Sequence, residues 1–285
     1  MKRSSNLIVL PVLVLLFSAS GCSPQYQSER HLYRATKLAK NILINPEAIP
    51  PQQFNRALDA YKVIFEKYPD TWSAKRAKVA IGSLYLSKKE YAKAREAFNE
   101  VIEIYTDDKR ISLEAWFAIA KSYESEDRWP VAISKYNEII KEYPKTGIGF
   151  GLPMYIARHY EEEGDIAKRN RSYVRAISHY AKIVEENPKS EIGYRAQNFI
   201  ALCYVRIEDW ARAVENLKKL AMDYPVAKNI SLTMRMIGDI SVKRMNTPDL
   251  AIEIFEEFLE RNPSHPAGEA MKKGLEELRN VSVGE

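Results

Sequence analysis

An alanine recurs six times along this chain, and each copy opens the same short pattern. Four residues after each alanine stands a large apolar or aromatic residue, and twelve residues after it stands a proline, replaced only once, by Thr106. The alanines are Ala57, Ala94, Ala132, Ala176, Ala213 and Ala251, most of them 37 or 38 residues apart. Apolar residues at spacings of three and four lie on one face of an α-helix, and a proline ends a helix because it lacks the amide proton for the next hydrogen bond. The pattern therefore predicts a chain of repeated helices.

A second apolar segment precedes most of the alanines. Its fullest form is the stretch 116–123, WFAIAKSY, and its core recurs around Gly82, Ala157, Ala201 and Gly238. Together the two segments resemble the tetratricopeptide repeat, in which W-x2-L-G-x2-Y on a first helix is followed by A-x3-F and a proline on a second. The resemblance implies an all-α fold, a right-handed solenoid of about six helical hairpins that binds proteins or peptides and catalyses no reaction.

These patterns divide the chain into four parts. Residues 1–21 are a predicted signal peptide, 22–29 a tether, 30–265 six repeats, and 266–285 a C-terminal capping helix with a tail. In the fourth repeat, seven additional residues separate the two helical segments. Seven residues are about two helical turns, so we expect the second helix of this repeat to be two turns longer than its counterparts.

Several helix ends carry their own signals. We expect Gly164 to end the first helix of the fourth repeat and Asp165 to cap the lengthened second helix. Thr247 and Pro248 fit an N-cap followed by the first helical residue. The stretch 87–90 begins with serine and ends with glutamate, which predicts a capping box at the start of a helix.

The N-terminus has the order of a secretory signal. Lys2 and Arg3 are followed by an apolar run over residues 7–17 and by small residues up to Cys22. The run is too short for a spanning helix, which needs about 20 apolar residues. A cysteine directly after small residues resembles the lipobox of bacterial lipoproteins, in which that cysteine is acylated and becomes the first residue of the mature chain. The resemblance implies a membrane anchor at Cys22.

Two neighbours of the cysteine bear on the location of the protein. Ala19 stands where the lipobox usually has leucine, and Ala19 with Gly21 also fits ordinary signal-peptidase cleavage, so a soluble secreted protein is the alternative. Ser23 stands where, by resemblance, an aspartate would mark retention at the inner membrane. In a bacterium with two membranes, the expected location is the periplasmic face of the outer membrane. In a host with one membrane, the same signal places the protein outside the cytoplasmic membrane.

The sequence predicts neither a catalytic site nor a metal or cofactor site. The four histidines lie in separate repeats, and no nucleophile, phosphate-binding or dinucleotide-binding motif occurs. Cys203 stands among apolar residues and is expected to be a buried core residue. With 43 basic and 38 acidic residues, the charge is too balanced to indicate a nucleic-acid partner. The expected partners are other envelope proteins or peptide segments, and the membrane reached through Cys22.

The resemblance also indicates a candidate binding groove. In tetratricopeptide proteins, the concave groove is lined by first-helix residues that avoid the packing positions. The matching residues of this chain are Arg76, Phe117, Lys121, Met154, Arg158, Arg195, Asn198 and Arg235. Their mixed apolar and basic character suits an extended or helical peptide with acidic groups.

The lengthened helix of the fourth repeat carries a basic face. Lys168, Arg171 and Arg175 are spaced three and four residues apart and therefore share one side of the helix. We expect this basic protrusion to meet anionic lipid or an acidic partner surface. The alternative is a solvated face balanced by the carboxylates of residues 161–163.

Three kinds of envelope protein fit these features. The chain resembles the repeat lipoprotein subunit of the outer-membrane β-barrel assembly machine, which favours long repeats with Tyr-Pro or Asn-Pro at the helix ends. That resemblance implies binding to barrel precursors and to partner subunits. The alternatives are a pilotin-like secretin assembly factor and a periplasmic coordinator of cell-wall synthesis.

Overall fold

A computed structural model describes residues 23–226 and 228–283, and most of these residues are helical. Within these ranges there are thirteen α-helices, one short 3-10 helix at Pro46–Ala48, and no β-strand. The α-helices are α1 (Pro24–Ile44), α2 (Pro51–Lys67), α3 (Trp72–Ser87), α4 (Tyr91–Ile104), α5 (Lys109–Ser125), α6 (Trp129–Glu142), α7 (Gly147–Glu162), α8 (Ile166–Glu186), α9 (Glu191–Arg206), α10 (Trp210–Asp223), α11 (Ile230–Lys243), α12 (Pro248–Arg261) and α13 (Gly268–Val283). They follow the six expected repeats in order, two to a repeat, with α13 after the last. The predicted all-α fold is confirmed.

The chain divides into two compact units at Ala132, near the start of α6. In the first unit, α1 packs on α2 and α3, and α4 packs on α3 and α5. In the second unit, the helices from α7 to α13 pack in order, each on the next. Contacts confined to neighbours along the chain are typical of stacked helical hairpins.

In the second repeat, the contact between the two helices joins a small residue to a large one. Gly82 of α3 lies against the ring of Phe98 of α4, so closely that a Cβ atom added at Gly82 would stand 2.5 Å from Phe98 Cε1. Both residues are buried. The six anchor alanines have no exposed surface, and the large residues that follow them are also buried: Tyr61, Phe98, Tyr136, Tyr180, Leu217 and Phe255. The predicted packing positions are therefore confirmed.

The turn between the two helices of a repeat contains one residue in the left-handed region. Five successive repeats have such a residue at the same place, with φ between 52° and 74°: Lys89, Asp127, Gly164, Glu208 and Asn246. In the first four of these turns, the next residue donates its N–H to a carbonyl five positions back, as in Asp209 N to Tyr204 O at 3.0 Å. In the fifth, Thr247 N donates to Ser241 O, six positions back, at 2.8 Å. This bond satisfies a carbonyl that the helix end leaves without a partner. The turns of these five repeats are therefore alike in backbone conformation.

Two of the predicted helix caps are present and one is wrong. The Asp165 carboxylate accepts the N–H of Lys168 at 2.9 Å and caps α8. Thr247 is the N-cap of α12 with Pro248 as the first helical residue, although its side chain makes no capping bond. The capping box over residues 87–90 does not form. Ser87 is the last residue of α3, and its hydroxyl donates to the Leu84 carbonyl at 2.8 Å because the chain has not yet left the first helix.

The fourth repeat has the lengthened helix that its sequence predicts. Helix α8 contains 21 residues, whereas α10 and α12 contain 14 each. The first buried residue of α8 is Ser172, so its opening turns contribute no fully buried side chain. The added turns therefore lie on the surface of the protein and not in its core.

The predicted tether over residues 22–29 is wrong for most of its length. Helix α1 begins at Pro24, with the Ser23 hydroxyl accepting the N–H of Tyr26 at 3.3 Å. Serine followed by proline supplies an N-cap and a favourable first helical residue, which outweighs the polar composition of this stretch. The C-terminal helix begins at Gly268 and runs to Val283.

The signal peptide expected at residues 1–21 and the acylation site expected at Cys22 lie outside the described residues. In the part of the chain that the structure describes, no helix combines the length and the apolar character needed to cross a bilayer.

Replacing Gly82 by alanine tests the small-to-large contact. The new methyl group would overlap the buried Phe98 ring, and we expect the free energy of unfolding to fall by about 1–3 kcal/mol. Gly151 of α7 is a matched control, because a Cβ atom there meets nothing within 4 Å. Gly151→Ala should stabilise the protein by up to about 1 kcal/mol through helix propensity. Urea unfolding monitored by circular dichroism measures both effects, and equal effects would contradict the predicted contact.

Candidate partner-binding surface

In the first unit, the cationic groove residues are neutralised by neighbouring carboxylates. Arg76 Nη1 lies 2.8 Å from Glu114 Oε1 and 2.6 Å from Glu114 Oε2. Lys121 Nζ lies 2.7 Å from Glu124 Oε1. Phe117 is half-buried. These residues occupy the first helices of their repeats as expected, but they offer little net positive charge to an acidic ligand.

In the second unit, the cationic groove residues have no such carboxylates. Arg158, Arg195 and Arg235 are exposed, and within the described ranges none of them forms an ion pair. Arg195 instead stacks over the Phe150 ring, with its guanidinium carbon 4.7 Å from the ring centroid. Asn198 is half-buried. The unpaired cations of the predicted groove therefore lie in the second unit.

Met154 is a packing residue more than a groove residue. It is half-buried beside the core around Tyr180, and its sulfur accepts the Cys203 thiol at 3.3 Å. Cys203 is fully buried, as predicted, and burial raises the pKa of its thiol to about 12. The thiolate is the reactive form of cysteine, so a pKa this high makes the folded thiol inert near neutral pH.

A cavity of about 600 Å³ opens between α11 and α13 in the second unit. Its floor is apolar and includes buried Met234, Phe255 and Met271. Leu232, almost half exposed, stands at its edge. Arg235 is the one predicted groove residue that lines this cavity. A concave, mostly apolar site of this size lies in the usual range for ligand pockets, about 300–1,000 Å³.

Two glycines keep the cavity open. Gly238 of α11 and Gly274 of α13 both line it. A Cβ atom at Gly238 would come within 3.7 Å of the Leu278 side chain, and one at Gly274 within 3.2 Å of the Phe255 ring. Larger side chains at either position would therefore fill the space between the helices.

Charged side chains surround the cavity with both signs. Asp239 and Lys243 form an ion pair, with 2.5 Å between Asp239 Oδ1 and Lys243 Nζ. Arg235, Lys273 and Glu277 line the cavity without an ion pair among the described residues. A ligand could therefore pack its apolar side chains on the floor of the cavity and bind Arg235 and Lys273 through a carboxylate.

The groove predicted from the sequence includes Arg235 on the α11 side of this cavity and no residue on the α13 side. The sequence predicted α13 as a capping helix, without any binding role. A signal was present, because Ala270 and Gly274 are small residues four positions apart and therefore lie on one face of the helix. Helical periodicity does not show which face of a neighbouring helix such a stripe will meet.

The three residues of the predicted basic protrusion are all exposed on α8. Lys168 pairs with Asp165 at 3.0 Å, and the backbone and side-chain bonds from Lys168 lower the pKa of the Asp165 carboxyl. Arg171 and Arg175 form no ion pair with the residues that the structure describes. Of the carboxylates at residues 161–163, Glu161 pairs with Arg206 and Glu163 with His159.

The histidines occupy separate structural settings. His265 joins two loops: its Nδ1 accepts the N–H of Ala267 at 3.1 Å, and its Nε2 lies 2.9 Å from the Pro225 carbonyl oxygen. His31 lies against the Tyr68 ring, and His179 against Tyr180. Across residues 23–226 and 228–283, no three histidine, cysteine or acidic side chains come together as metal ligands would. The prediction that the protein has no catalytic or metal site stays a prediction.

The burial of Cys203 predicts its reactivity. In a Cys22→Ser variant Cys203 is the only thiol, and we expect a maleimide at pH 8 to label it at least 100-fold more slowly in the folded protein than in denaturant. Adding Asn99→Cys, at an exposed position of α4, provides a matched accessible thiol. Rapid labelling of the folded protein without that addition would show that Cys203 is not in a closed core.

Two segments of the chain match family models of the tetratricopeptide repeat, residues 76–108 and residues 114–146. No curated protein matches the sequence significantly. Among solved structures, the TPR2AB domain of yeast Sti1 in its pHSP90 complex is 14% identical, with 90% of this chain and 98% of that chain covered and a TM-score of 0.36. A tetratricopeptide repeat protein from Parabacteroides merdae is 15% identical over 89% of this chain and 99% of its own, with a TM-score of 0.32.

Yeast Tom70 is 13% identical over 90% of this chain and 47% of its own, with a TM-score of 0.40. Identities and TM-scores this low carry no inference about what this chain binds. The family matches are specific to the second and third repeats. Residues 76–108 and 114–146 are tetratricopeptide repeats, helical modules whose usual role is to bind peptides or proteins and not to catalyse reactions.

Proposed function

We propose that this protein is a non-enzymatic scaffold of the bacterial envelope, anchored by lipid at Cys22, that binds partners through the cavity between α11 and α13. The cavity is the observation that carries the binding role, because it joins an apolar floor to unpaired charges on its rim. The order of charges, apolar run and small residues before Cys22 supports the anchor. The proposed location is the periplasmic face of the outer membrane.

The proposed partners are unfolded precursors of outer-membrane β-barrel proteins. Their strands alternate apolar and polar residues, so an unfolded precursor exposes apolar side chains at every second position. Such a segment can place its apolar side chains on Phe255, Met234 and Met271. Arg235 and Lys273 can hold a carboxylate of the same segment, and Glu277 a basic side chain.

Changing Leu232 to glutamate tests the cavity as the binding site. The added carboxylate at the edge of the apolar floor should weaken binding of a barrel precursor, diluted from urea, by at least tenfold in fluorescence anisotropy. Val174→Glu is the control, because Val174 is an exposed aliphatic residue on α8 of the same unit. Equal affinities for wild type and the Leu232 variant would exclude the cavity. Binding of a secretin subunit or a cell-wall synthase in place of the barrel precursor would favour the corresponding alternative.

Changing Cys22 to serine tests the anchor. The variant should incorporate no labelled fatty acid and should move from the membrane fraction to the soluble fraction. A second variant, Ala19→Leu, restores the usual lipobox residue and should be acylated at least as well as the wild type. Wild-type protein that carries no label and fractionates as soluble would show that the chain is an ordinary secreted protein.

A further inference from the structure

Helix α1 has two opposite faces with different chemistry. Ser28, Ala35, Ala39 and Ile42 are buried against the first unit. The residues on the opposite face follow at alternating intervals of four and three, which keeps them in one line along the helix. They are Tyr26, Arg30, Tyr33, Lys37, Lys40 and Ile44, here called the α1 stripe, and all are exposed.

The apolar members of the α1 stripe are unusually exposed for their size. Tyr33 is 72% exposed and Ile44 71%. Among the described residues, five of the eleven exposed large hydrophobic side chains belong to α1. Single exposed apolar residues are ordinary on protein surfaces, but a concentration on one helix indicates a surface that meets something else.

The cations of the α1 stripe are unpaired. Arg30, Lys37 and Lys40 form no ion pair with any residue that the structure describes. The one acidic residue of α1, Glu29, instead accepts a hydrogen bond from the Gln25 side chain at 2.6 Å. The stripe therefore presents positive charge beside tyrosine and isoleucine, a combination that suits the headgroup region of an anionic bilayer.

The start of α1 determines how near this face stands to the proposed anchor. Ser23 alone separates Cys22 from the first residue of the helix, Pro24. One residue spans at most about 3.6 Å, so an acyl chain on Cys22 would hold the end of the helix at the bilayer surface. The helix is about 30 Å long at 1.5 Å per residue, and the stripe extends along nearly all of it.

We propose that α1 lies along the surface of the membrane, with the α1 stripe in contact with anionic phospholipid headgroups. The tyrosine rings reach the interface between headgroups and acyl chains, and the three cations meet the lipid phosphates. The acyl chains hold the protein at the membrane, and the stripe fixes the orientation of the first unit on it. This inference rests on the proposed lipid anchor at Cys22.

A polarity-sensitive dye at position 41 tests the proposal. Asn41 is exposed at the edge of the stripe, and Cys203 is buried, so a dye attached to the Asn41→Cys variant reports on this face alone. The acylated full-length protein is reconstituted into vesicles with or without 30% anionic lipid. The dye should shift to the blue and be quenched by headgroup-labelled lipid only in the anionic vesicles. The same dye on Asn99→Cys, on α4 of the same unit, should remain in water in both.

Removing the three stripe cations together should reverse the effect. In the Arg30→Gln, Lys37→Gln, Lys40→Gln background, the dye should lose most of its shift while the protein still floats with the vesicles. Replacing three exposed cations of α2 instead, by Arg56→Gln, Lys62→Gln and Lys67→Gln, should leave the shift unchanged. Circular dichroism and melting should match the wild type in both backgrounds.

The outcomes separate this proposal from the anchor. Protein that floats with vesicles while the dye at position 41 stays in water keeps the anchor and overturns the orientation of α1. Protein that carries no acyl chain and does not float overturns both. A dye that stays in water on every vesicle but responds to an acidic protein would assign the stripe to a protein partner and overturn the lipid contact.

Discussion

The contact of a small residue on one helix with a large ring on the next is the interaction on which the rest of the structure depends. Gly82 and Phe98 show it most clearly, because no side-chain atom could be added at Gly82 without moving a buried ring. The anchor alanines are the other small residues of the repeat pattern, and all six are fully buried. A close approach of the helices is what lets short turns join them. Stability in such an array accumulates from contacts between neighbours, so each repeat depends on the repeats beside it.

The two units use the same framework and differ in the ion pairing of their predicted groove cations. In the first unit, Arg76 faces Glu114 of the next repeat, and Arg95 lies both over the Tyr123 ring and against Glu126. These interactions connect neighbouring repeats. In the second unit, Arg158 and Arg235 have no carboxylate partner among the described residues, and Arg235 borders the cavity. Partner binding is therefore proposed for the second unit. Membrane contact is proposed for the first unit, through α1.

Much of the fold could be predicted because packing positions and proline stops repeat with the helical period. The extra turns of α8 were predictable for the same reason, since seven residues preserve the helical phase. The start of α1 was not predicted, because the polar composition of residues 22–29 concealed an N-cap and a proline at the first helical position. The capping box predicted over residues 87–90 does not form, because α3 extends to Ser87. Of the cavity, the predicted groove includes only Arg235, because the α13 side depends on packing that periodicity does not encode.

A double-mutant cycle between Gly82 and Phe98 tests the central contact most directly. If the methyl group of Gly82→Ala is costly because it meets the Phe98 ring, then Phe98→Leu removes the obstacle and leaves room for it. We predict that Gly82→Ala, which costs about 1–3 kcal/mol in the wild-type protein, costs less than about 0.5 kcal/mol in the Phe98→Leu background. The same cost in both backgrounds would show that the two residues act independently and would contradict this account of the fold.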